Sequence, residues 1–194
     1  MPTSPIWSGV RAFLQCSGED RRPATGQTVD VTGANDDWEK RISELWAAID
    51  DHDEDEFVTL IDALVAELPP GNAIGLFERA AARDSTGHSD LAIPSYKAAL
   101  DAGLVGVRRR RAVIQMASSL RNIGKAQDAV ALLTAELDGE ADALTGAVRA
   151  FLALALVDVG REREAVGVAL TALSEYLPRY NRSVARYAQE LTAE

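Results

Sequence analysis

The sequence predicts an all-α fold, a solenoid of antiparallel helical hairpins with a C-terminal capping helix. Three observations predict it. Apolar residues recur at helical spacing from Trp38 onward and never alternate as strand residues do. Glycines stand at three turns, Gly87, Gly124 and Gly160, spaced 37 and 36 apart. Five residues after each comes an alanine, Ala92, Ala129 and Ala165, with the same spacings. Self-similarity at such a period marks stacked supersecondary units, none of which buries its apolar face alone.

Residues 1–35 carry scattered Pro, Gly, Ser and Thr and no sustained period. They read as a disordered or non-native tail, with a short helix around Trp7–Leu14 as the alternative. The helical domain is expected over 36–194. Its first hairpin spans 36–69. Trp38, Ile42, Leu45, Trp46 and Ile49 form one stripe, and Phe57, Leu60, Ile61, Leu64, Val65 and Leu68 form the next. Pro69-Pro70-Gly71 ends it. Repeats follow over about 73–103, 107–138 and 141–177, each pairing two helices across one of the glycines above. Pro178 sets off a capping helix over 179–192.

Composition narrows the function classes. The chain of 194 residues is 47% hydrophobic but only 6% aromatic, so alanine-rich helices can approach closely. The net charge of −10 repels phosphate backbones and argues against a nucleic-acid partner. No apolar run is long enough to span a membrane. The segment Ile6–Cys16 is interrupted by Arg11 and makes a poor signal-peptide core. A single cysteine, Cys16, allows no intrachain disulfide, and the cytoplasm is the expected compartment.

The hairpins resemble tetratricopeptide repeats (TPR). Small residues stand where paired helices would cross, Ala80, Ala117 and Ala153 in the first helices and Ala92, Ala129 and Ala165 in the second. Leu120-Arg121-Asn122-Ile123-Gly124-Lys125, residues 149–156 and residues 178–183 make the chain similar to the bacterial tetratricopeptide repeat group 5 proteins. The middle repeat departs from the family pattern at Glu136. The resemblance implies a right-handed superhelical stack with a concave face lined by the first helix of each hairpin. It also implies a peptide-binding groove, with an apolar floor from Phe77, Ile114 and Leu154 and polar anchors from Arg111, Ser118, Arg121 and Asn122. Arg121 and Asn122 together could hold a carboxylate, whereas pairing of Arg121 with Asp84, Asp158 or a C-terminal carboxylate would be structural.

Other charged and aromatic features have bland readings. Arg108-Arg109-Arg110-Arg111 opens a helix against the macrodipole, so internal pairing with acidic neighbours is expected, an acidic partner being the alternative. Asp51, Asp53, Asp55 and Asp62 echo a calcium loop, but Glu56 stands where glycine is needed, and Asp53 with Glu56 reads as a capping box. His52 and His88 have no metal-spaced partners. Tyr176, Tyr180 and Tyr187 are expected to be buried under the capping helix, or else to furnish a pocket with Arg179, Arg182 and Arg186. No catalytic motif occurs, so no enzyme, cofactor or metal is expected. The expected function is a protein-interaction or scaffold module of unknown partner. The alternatives are a self-closed homodimer, its groove filled by the last helix, and a small-ligand pocket beside that helix.

Overall fold

A computed structural model describes residues 36–193; the expectations for residues 1–35 lie outside them. Among the described residues there are nine α-helices and no strand. They are α1 (Asp36–Ala47), α2 (Glu54–Val65), α3 (Ala73–Ser85), α4 (Ser89–Asp101), α5 (Gly106–Asn122), α6 (Ala126–Leu137), α7 (Thr145–Asp158), α8 (Glu162–Ser174) and α9 (Asn181–Thr192). A 3₁₀ turn, Ile49–Asp51, stands between the first two. The expected all-α hairpin repeat is the observed fold. The chain forms two compact units, one ending at Leu104 and the other starting at Val105.

The N-terminal unit is anchored by two tryptophans. Trp38 is buried on α1 and its indole N–H donates to the Leu64 carbonyl at 2.8 Å. Trp46 meets Phe57 edge-on at 5.0 Å and donates to Glu78 Oε2 at 2.7 Å, which ties α1 to α3. That hydrogen bond satisfies a buried carboxylate. Asp53 caps α2 by accepting the Glu56 amide at 2.8 Å, so the acidic run does the work of a helix start. In the α3–α4 hairpin Ala80, Ala92 and Ala99 are fully buried.

Each repeat turns by one motif. The amides of His88, Lys125 and Arg161 reach back to the carbonyls of Arg83, Leu120 and Leu156. Gly87, Gly124 and Gly160 sit one residue before those amides with φ of +85°, +78° and +76°. This is the Schellman closure, and it needs a left-handed residue that glycine adopts without a Cβ penalty. The periodic glycines are therefore helix stops.

The C-terminal unit stacks α5, α6, α7 and α8 in succession, and α5 also packs directly on α7. First helices of adjacent repeats thus lie side by side. Their core joins Ile114, Ala117, Ala129, Leu133, Val148, Leu152, Ala155, Leu156 and Ala165. One of the boundaries that differ from expectation is the start of α7, which begins at Thr145, four residues after Ala141. Asp142 Oδ1 accepts the Leu144 amide at 2.9 Å, and its own amide donates to Thr145 Oγ1 at 2.8 Å. This side-chain turn takes the backbone groups that a longer helix would have used.

The last helix also corrects the expectation for its aromatics. α9 packs on α8, but Tyr176, Tyr180 and Tyr187 are 71%, 77% and 53% exposed. The contact is made by small residues. A Cβ added at Gly167 would stand 2.8 Å from the Ala188 carbonyl and 2.7 Å from Thr192 Cγ2. Backbones this close leave no room for a ring between α8 and α9, so Ala188 is buried there and Tyr187 on the same helix is exposed. Gly167→Ala should destabilise the protein by about 1–3 kcal/mol, although alanine is the better helix former by ~1 kcal/mol, because the clash is with backbone. Urea titration checks this; equal or greater stability would show that α9 yields freely.

Candidate functional site

The seven residues expected in the groove separate into three groups. Phe77 belongs to the N-terminal unit, where it is fully buried and packs near Tyr96, ring centroids 6.2 Å apart. Ile114 is fully buried in the core of the C-terminal unit. Neither offers area to a ligand, which corrects their place as floor residues: side chains that fill a hairpin core cannot also line its outside. Leu154 differs, standing 48% exposed on α7. Arg111, Ser118, Arg121 and Asn122 lie along α5, the first three half-buried and Asn122 exposed.

Arg121 is engaged inside the protein. Its Nε donates to Asp158 Oδ2 at 2.6 Å, and the two residues close the C-terminal ends of α5 and α7 together. The pair marks which faces of the helices meet. Leu154 is one turn before Asp158 and on the same side of α7. Val157, 50% exposed, is its neighbour. By the register of Gly124 and Gly160, Leu154 is the counterpart of Ser118 and Val157 that of Arg121. The face shared by α5 and α7 therefore carries a polar half and an aliphatic half.

The basic run at the start of α5 is also engaged internally. Arg109 forks onto Glu136 at 2.6 and 3.0 Å, and Arg110 donates to the same carboxylate at 2.7 Å and to the Glu136 carbonyl at 3.1 Å. Arg110 and Glu136 are both buried, and Arg110 Nε lies 3.4 Å from Asp142. Burial alone would push the Glu136 carboxyl up. The hydrogen bonds and charges of Arg109 and Arg110 outweigh it and hold the group below the usual carboxylate range, and Arg109 is raised in turn. The depression over this cluster is lined by Arg109 and Arg110 but also by Glu136, Glu140 and Asp142. Three carboxylates against two guanidiniums do not make an anion site.

Glu136 is where the middle repeat leaves the family pattern, and its arginine partners account for that departure. Sequence reasoning missed the pairing, though a signal exists. Arg41–Glu67, Arg110–Glu136 and Arg149–Glu175 each join the first half of a first helix to the end of its partner, always 26 residues apart. In antiparallel hairpins those two ends are adjacent. Among the described residues no group of acidic, His or Cys side chains could hold a metal ion, and no helix is long and apolar enough to cross a membrane.

A family model described as Tetratrico peptide repeat matches residues 73–191, more than half of the chain. No curated protein and no solved structure matches it significantly.

The buried pair has a pH signature. A carboxyl depressed by folding contributes stability that is complete above its unfolded pKa, about 4.3, and is lost as pH falls through the lower native value. Glu136→Gln should cost about 3 kcal/mol at pH 7, because the buried Arg110 loses its nearer and more buried counter-ion and keeps only Asp142. The variant should also lose less stability than the wild type on acidification below about pH 4. Urea unfolding across this range reads both; parallel pH curves would remove Glu136 as a contributor to acid lability.

Proposed function

The chain belongs to the tetratricopeptide repeat family, and from that premise we propose that it seats a peptide or short helix on the face shared by α5 and α7. The family implies a protein-interaction or scaffold role and is typically non-catalytic. The observation that carries the reading is the pair Leu154 and Val157, two large aliphatic side chains each about half exposed, beside the polar edge of α5. Isolated apolar exposure is ordinary, but here the two residues share a helix face with Asp158, which Arg121 holds.

On this reading the floor is Leu154 and Val157, with Phe151 half-buried beneath. Ser118 and Asn122 supply hydrogen bonds at one edge, and Arg111 stands farther along the same helix. A carboxylate on the ligand would compete with Asp158 for Arg121, which favours a mainly apolar anchor over an acidic tail. A helical ligand with apolar residues at i, i+3, i+4 and i+7 would match a groove between two parallel first helices.

A displayed peptide library selected against the whole protein tests the proposal. Selected peptides should converge on aliphatic or aromatic anchors. Leu154→Glu should weaken them by about 2 kcal/mol or more, as expected for a central apolar contact. Asn122→Ala should have a smaller effect. No enrichment, or enrichment indifferent to Leu154→Glu, would contradict it.

A further inference from the structure

The outward face of α9 carries a second feature, independent of the α5–α7 face. Arg182 and Arg186 stand one turn apart and exposed, with Arg179 just before the helix. The Arg186 guanidinium lies 4.9 Å from the centre of the exposed Tyr187 ring. Tyr180, at the N-cap, is 77% exposed and held in the left-handed region with φ +64°. Elsewhere Arg41, Arg79, Arg83, Arg109, Arg110, Arg121, Arg149 and Arg161 each meet a carboxylate. Arg179, Arg182 and Arg186 meet none among the described residues. No acidic residue occurs between Glu175 and Glu190. Tyrosine and arginine are the side chains that most often carry binding energy at protein interfaces.

Charge is divided unevenly along the chain. Residues 1–104 hold 8 Lys and Arg against 19 Asp and Glu, a net charge of −11. Residues 105–194 hold 12 against 11, a net charge of +1. The N-terminal unit therefore carries the whole acidic excess, with Asp50, Asp51, Asp53, Glu54, Asp55 and Glu56 all exposed. From this complementarity we propose that the Arg–Tyr face of α9 docks on the acidic N-terminal unit of a second copy of the chain. The contact joins two different surfaces, so it is heterologous. Association of this kind weakens with salt.

Sedimentation velocity on the whole protein tests this, using two variants. One is Arg182→Glu with Arg186→Glu. The other is Asp51→Lys with Asp55→Lys, which spares the capping residue Asp53 and leaves Glu56 beside His52. At about 10 mM ionic strength, where the Debye length is about 30 Å, the wild type should sediment faster as concentration rises. At about 1 M it should be monomeric. Each variant alone should associate on the order of tenfold more weakly. Mixing the two should restore association, since each supplies the surface the other lacks. A wild type that stays monomeric at low salt would overturn the proposal. So would association untouched by either variant, or a mixture that does not pair. Circular dichroism matching the wild type shows that the variants are folded.

Discussion

Close approach of helix backbones at small residues is the constraint on which the rest of this structure depends. Ala80 and Ala92 in one hairpin, Ala117 and Ala129 in the next, are fully buried, and Ala165 nearly so. A methyl group at such a crossing fills the gap without pushing the helices apart. The larger core residues, Ile114, Leu133, Val148 and Leu156, can then pack on either side of it. Gly167 takes the same logic one step further, bringing α9 so near α8 that Ala188 is fully buried at the contact. The exposure of Tyr187 follows from this distance and not from its polarity.

Charge is arranged around that apolar frame in a repeated way. Arginines in the first half of α1, α5 and α7 reach carboxylates at the far end of the partner helix. The middle pair is buried and the outer two are more exposed, so they differ in weight: surface pairs contribute little, whereas a broken buried pair is expensive. The Arg41–Glu67 contact is bidentate at 2.7 and 2.5 Å, and it holds the Glu67 carboxyl below its ordinary range from an exposed position. The four-arginine run is thereby explained in part by fold. Arg109 and Arg110 neutralise a carboxylate that the repeat would otherwise not tolerate.

The fold was legible in the sequence because its signals are local. The glycines mark helix stops, the alanines mark crossings, and both repeat. The start of α7 was not legible, since Asp142 and Thr145 compete for the backbone through side-chain contacts that hydrophobic periodicity does not register. The candidate site was legible in outline only. Family register placed Phe77 and Ile114 on a groove floor, but burial of a side chain depends on neighbours far along the chain. Arg121 was open to two readings, and the ion pair with Asp158, 37 residues away, favours the structural one. Val157 was overlooked because it adds one more aliphatic residue to a helix already rich in them.

The most direct test of the crossing constraint is the stability of Ala129→Leu against that of Ala131→Leu. Both add the same side chain to α6, one at a fully buried crossing and one at an exposed position. Urea unfolding should show Ala129→Leu destabilised by about 1–3 kcal/mol or more and Ala131→Leu within about 0.5 kcal/mol of the wild type. If Ala129→Leu were as stable as the wild type, helix spacing would not be set by small residues, and the account of the hairpins given above would be contradicted.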